Sequence, residues 1–83
     1  MDLEKQGVRL LELLKITNHN QKIDLFNNNC SIIVLDVVCK KIIDILIVHY
    51  PLTIFNCEIE KISVEDGSLE ITLKENFERK REL

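Results

Sequence analysis

The chain has 83 residues, of which 46% are hydrophobic and 30% charged, with two glycines, one proline and a formal net charge of −3. That balance excludes an intrinsically disordered chain, which needs low hydrophobicity and high net charge, and it fits one domain near the lower size limit for a self-sufficient core. The acidic surplus argues against a sequence-independent hold on nucleic acid, and with no tryptophan, one tyrosine and three phenylalanines there are few stacking platforms for single strands.

Residues 3–17 place Leu3, Gly7, Leu10 and Leu14 on one stripe, widened by Val8, Leu11 and Leu13. Glu4, Lys5, Arg9, Glu12 and Lys15 fall mostly elsewhere, so the spacing predicts an amphipathic helix, capped by Asp2 and stopped at Asn18. Asn18-His19-Asn20 and Asn27-Asn28-Asn29 read as loops, because asparagine tolerates left-handed backbone and forms side-chain turns. Between them, residues 22–26 alternate polar and apolar, which predicts a short strand at a sheet edge.

Residues 31–50 carry two conflicting signals. Their many isoleucines and valines favour a strand, since β-branched side chains pack well on a pleated surface. Against this, Asp36, Lys40 and Asp44 recur every four residues with Lys41 beside them, making one polar stripe on a helix. Ser31 suits an N-cap and Pro51 a terminator, so the pattern predicts one long helix over residues 31–50. Such a helix is apolar around well over half its circumference, more than one further helix and a small sheet can cover.

The remainder predicts a hairpin. Phe55, Cys57 and Ile59 alternate, and Ile62 and Val64 continue one residue out of step, which places a bulge near Glu60-Lys61. Asp66-Gly67 is a two-residue type I′ turn signal that returns Leu69, Ile71 and Leu73 opposite Val64 and Ile62. Glu58, Ser63, Glu65, Glu70, Thr72 and Lys74 make the other face wet. The expected fold is α+β in the order α-β-α-β-β, with the sheet packed on the helices. Residues 1–75 form its single domain, and residues 76–83 are a charged C-terminal tail anchored by Phe77.

Three cysteines, an odd number without a CxxC pair, and a charged Met1-Asp2-Leu3-Glu4-Lys5 start indicate free thiols and a cytoplasmic location. A membrane span over 31–50 would bury Asp36, Lys40, Lys41 and Asp44 at about 2.5–3.5 kcal/mol each, so none is expected. Cys30, Cys39, Cys57, His19 and His49 lack the paired spacing of a zinc site. With no P-loop, GxGxxG, GxSxG or HExxH, neither metal nor cofactor is expected.

Cys39 and Cys57 read as small apolar fillers. Cys30, beside the predicted helix N-terminus, is the one candidate reactive thiol, because that position stabilises a thiolate. His49 closes the same helix, where a dipole-complementing role competes with general-base chemistry. Glu58, Glu65, Asp66 and Glu70 form an acidic hairpin that could dock a basic protein partner, or merely keep the strands from pairing with other sheets. Arg79-Lys80-Arg81, flanked by Glu78 and Glu82, could touch phosphates but reads first as a solvated end.

The functional expectation is a small non-enzymatic interaction protein (an adaptor, inhibitor or complex subunit) working through a surface as a symmetric homodimer, its interface the outward row of the second helix. Two alternatives stand beside it: a small enzyme with an inter-protomer site built on His49 or Cys30, and weak nucleic-acid binding through the basic tail.

Overall fold

The computed structural model describes residues 7–80 of the chain. Helix α1 spans Leu10–Ile16, strand β1 Lys22–Phe26, strand β2 Ile32–Val38 and helix α2 Cys39–His49. A 3-10 turn at Leu52–Asn56 leads into strand β3 (Ile59–Glu65) and strand β4 (Ser68–Leu73). The strands form one four-stranded mixed sheet in the order β2-β1-β4-β3. β1 runs antiparallel to β2 and parallel to β4, and β3 and β4 are an antiparallel hairpin.

The fold is α+β, but the described elements run α-β-β-α-β-β, and the difference lies in residues 31–50. Their first part, Ile32–Val38, is a strand, and the helix begins only at Cys39. Each half of the segment obeys its own signal: β-branched residues dominate Ile32–Val38, while Lys40, Lys41 and Asp44 make the exposed face of α2. Asp36 belongs to the strand, and its four-residue distance from Lys40 has no helical meaning. β2 escapes simple alternation because its pairing with β1 slips twice, between Ile23 and Leu25 and between Leu25 and Phe26. Asp36 sits at the first irregularity with φ +56°, a left-handed conformation that aspartate tolerates better than most residues. The Asp24 carboxylate accepts the Asp36 amide at 2.7 Å, and Lys22 lies 3.6 Å from the Asp36 carboxylate.

The first described residues also differ from expectation. Helix α1 begins at Leu10 with Arg9 as its N-cap, and Gly7 lies outside it with φ +65°. A side chain there would be strained and would run into the Glu58 carboxylate. The predicted Asp2 cap falls outside the described residues. β1 is an interior strand, paired on both sides, not an edge.

One face of the sheet carries the core. Ile23 and Leu25 of β1 and Ile71 and Leu73 of β4 are fully buried beneath Leu10 and Leu14 of α1, Ile42 and Leu46 of α2, and Ile54 of the 3-10 turn. Cys39, Ile42 and Leu46 recur at helical spacing and form the inward stripe of α2. Both ends of α2 are satisfied by other parts of the chain. At its N-terminus the Cys39 and Lys40 amides donate to the Gln21 and His19 carbonyls at 2.8 and 3.1 Å. At its C-terminus the Lys80 amide donates to the His49 carbonyl at 2.7 Å and Lys80 Nζ to the Ile47 carbonyl at 3.2 Å.

Candidate functional site

The β3–β4 hairpin is built as its sequence implies. Asp66 (φ +51°) and Gly67 (φ +81°) make the two-residue turn, and Ile62 and Val64 lie opposite Ile71 and Leu69. The pairing slips between Ile59 and Lys61, at the site of the expected bulge. Phe55 and Cys57, read as strand from their alternation, belong instead to the 3-10 turn and its C-cap. Ile62 and Val64 share the core face of the sheet, yet they are 44% and 72% exposed, because the described helices leave this part of β3 uncovered. The whole of Glu60–Gly67 is exposed.

The acidic residues do not form one patch. Glu65 and Asp66 occupy the hairpin tip, and Glu70 lies on the open sheet face, where it accepts the Ser63 hydroxyl at 3.4 Å. Glu58 stands at the far end of the hairpin, its backbone bridged to that of Arg9 and its side chain packed under Gly7. Seven residue-to-residue steps of extended chain lead from Glu58 to Glu65, about 23 Å at the usual rise per residue. A compact partner touching the tip triad of Glu65, Asp66 and Glu70 does not reach Glu58.

Cys30 is not at a helix N-terminus. It lies in the turn between β1 and β2 with φ +70°, its amide donating to the Asn27 carbonyl at 2.9 Å, so the expected reason for thiolate stabilisation disappears. It is exposed and borders a shallow groove on the open sheet face with Phe26, Thr72 and Glu70. The cysteine that does start α2 is Cys39. It is buried, its thiol lies 3.4 Å from the Leu14 carbonyl, and burial pushes its pKa up. Burial likewise pushes the Cys57 thiol up. Both are packing residues.

His49 closes α2 as expected, and the basic tail meets it there. Arg79 Nη2 lies 3.1 Å from His49 Nδ1 and 3.3 Å from Nε2, while Lys80 bonds the helix's last carbonyls. These two tail cations thus sit at the negative end of the α2 dipole rather than free in solvent. Among the described residues, no group of histidine, cysteine and carboxylate side chains could hold a metal ion, and no helix is long and apolar enough to cross a membrane.

The residue most undervalued by its sequence is Asn27. It is buried, donates to Ser31 Oγ and the Phe77 carbonyl at 3.0 Å each, and accepts the Phe77 amide at 2.8 Å. The Asn28 side chain donates to the Leu73 carbonyl and the Asn29 amide to Asn76 Oδ1, so the asparagine loop clasps the chain after β4. Three successive asparagines, far more than one turn requires, are the signal in the sequence that marks this loop.

The outer edge of β3, which no described residue pairs from Glu60 to Glu65, is the most distinctive surface. At its start, the Ile59 amide donates to the Val8 carbonyl at 2.8 Å and the Leu10 amide to the Cys57 carbonyl at 2.9 Å, so the segment before α1 covers this end. From Glu60 to Glu65 no described residue pairs with the outer side. An open groove of about 400 Å³ lies at the junction, lined by Gly7, Val8, Ile59–Ile62 and Lys74.

Comparison with known proteins finds no matching family model, curated protein or solved structure.

Proposed function

We propose that this chain is a non-enzymatic interaction protein, an adaptor, inhibitor or complex subunit, that acts through a surface and works as a homodimer. The observation that carries the reading is the exposed strand β3, where Ile62 and Val64 lie on the core side of the sheet yet lack cover from the chain's own described elements. Aliphatic side chains lined up along an edge that no described residue pairs favour association, since burying each contributes about 1.5–3 kcal/mol. The outer face of α2, where Ile47 and Val48 are exposed, is a lesser candidate, because about half of the apolar residues in 31–50 belong to β2 and not to the helix. Glu65 and Asp66 at the hairpin tip, with Glu70 on the adjoining open sheet face, are the proposed contact for a basic protein partner.

Sedimentation equilibrium over a wide concentration range, in reductant and moderate salt, tests the reading. A dimer mass persisting into the low micromolar range supports it. A 9.7 kDa monomer at every concentration removes the homodimer. For the acidic tip, a lysine-rich peptide should bind in a salt-dependent way that is lost in Asp66→Asn/Glu70→Gln. Indifference to salt and to those changes removes the docking face.

A further inference from the structure

We propose that β3 pairs with β3 of a second copy, antiparallel across a two-fold axis at Ser63, joining two four-stranded sheets into one. The inference rests on the homodimer reading and specifies its interface to the residue.

The backbone limits which registers are possible. Glu65 and Ser68 flank a two-residue turn, so they exchange both hydrogen bonds, and the alternation along an antiparallel pair assigns Ser63 with Glu70 to the same class. Ile62 and Val64 are the non-bonded partners of Ile71 and Leu69. Their amides and carbonyls therefore point away from β4, toward the side that no described residue pairs. A second β3 can bond only where its own Ile62 and Val64 meet these groups.

Three symmetric registers satisfy that condition, centred on Ile62, Ser63 or Val64. Centring on Ile62 sets Glu60 against Val64 of the partner subunit, and Lys61 against the partner's Ser63. Centring on Val64 sets Ile62 against the partner's Asp66. Centring on Ser63 sets Ile62 against the partner's Val64, Lys61 against the partner's Glu65, and Ser63 against the partner's Ser63. Only this register matches apolar with apolar and positive with negative, and symmetry makes each match twice. Directly opposed residues in an antiparallel pair share a face. Ile62 and Val64 of both copies then meet on the core side, between the two helical layers, and each Lys61–Glu65 pair lies on the solvent side with Glu70.

The charges on β3 thus answer the objection that charged edges resist pairing. They are of opposite sign and symmetric about Ser63, so the strand is complementary to itself while repelling strands that lack this pattern. The opposite edge, β2, is blunted by two irregularities and the left-handed Asp36, whereas β3 is regular from Lys61 to Glu65. The one like-charge approach is Glu60 toward the partner's Asp66, at the ends of the overlap.

The experiment uses the full chain with Cys30→Ser, which leaves only buried thiols. Ser63→Cys in this background should form an intermolecular disulfide in a glutathione buffer, since opposed non-bonded residues bring Cα atoms to about 4.5 Å. Lys61→Cys should not, because two Lys61 positions are about 14 Å apart in this register. Lys61→Glu should weaken the dimer about tenfold, and Lys61→Glu/Glu65→Lys should restore it. Glu60→Gln should tighten it. A stable dimer in which Ser63→Cys does not crosslink, or in which the charge swap fails to restore affinity, overturns this interface while leaving the homodimer reading standing. A monomer overturns both and gives the β3 edge to another occupant.

Discussion

Replacing Asn27 with alanine removes a clasp that holds the end of the described chain to the sheet. Three side-chain hydrogen bonds disappear, two of them to the backbone of Phe77, whose ring packs against the core. At about 0.5–1.5 kcal/mol net for each bond, with part-buried Phe77 groups left unpaired, the loss is about 2–3 kcal/mol. A domain of this size holds roughly 4–12 kcal/mol in total, so the change is a large fraction of its stability. The midpoint of thermal unfolding should fall by about 10–20 °C. Urea unfolding followed by far-UV circular dichroism measures the free energy, and amide exchange at Phe77 shows whether that residue is released. Asn27→Asp should lose at least as much, because its second oxygen meets the Phe77 carbonyl as acceptor against acceptor and its charge is buried. Truncation before Phe77 should make Asn27→Ala nearly silent, since the two changes remove the same contacts. A full-length Asn27→Ala protein within about 0.5 kcal/mol of the parent, a margin typical of surface changes, would refute the clasp.

Gly67→Val should cost about 1–2 kcal/mol by urea unfolding: nothing crowds the site, so the whole penalty is the left-handed backbone at φ +81°. Native-state thiol labelling should modify Cys30 alone, with Cys39 and Cys57 reacting only in denaturant, and equal rates at all three would contradict their burial. Because burial raises the Cys39 and Cys57 thiols above their ordinary value of 9.0, the unfolded chain releases protons there before the folded one does. Their contribution to stability is therefore intact below pH 9 and declines as the pH rises further, and Cys39→Ala/Cys57→Ala should flatten that decline in urea titrations. Asp36→Gly should preserve β2 at little cost, whereas Asp36→Ile should lose about 1–2 kcal/mol, because a β-branched residue resists φ +56°. Equal stability of the two variants would refute the bulge.

Local chemistry makes several parts of this protein legible in its sequence. The Asp66-Gly67 turn, the slip beside Lys61 and the pairing of Ile62 with Ile71 follow from turn geometry and two-residue alternation, which operate within a few residues of chain. β1 is visible for the same reason, as is the amphipathic stripe of Leu10 and Leu14. The α+β class follows from these elements together.

What the sequence alone does not decide is settled by partners distant in the chain. Ile32–Val38 is a strand because β1 offers it a bonding edge, and a run of isoleucine and valine contains no record of whether that edge exists. The loss of Gly7 from α1 is likewise tertiary, since Val8 and Leu10 bond the chain around Cys57 and Ile59 instead of continuing a helix. Cys30 has no helix terminus beside it because the helix starts at Cys39, and the acidic residues divide because extended chain separates Glu58 from Glu65. The exposure of Ile62 and Val64 is invisible in the pattern, which marks them as core. Alternation reports which face of a sheet a side chain joins, and only the extent of the helical layer decides whether that face is covered.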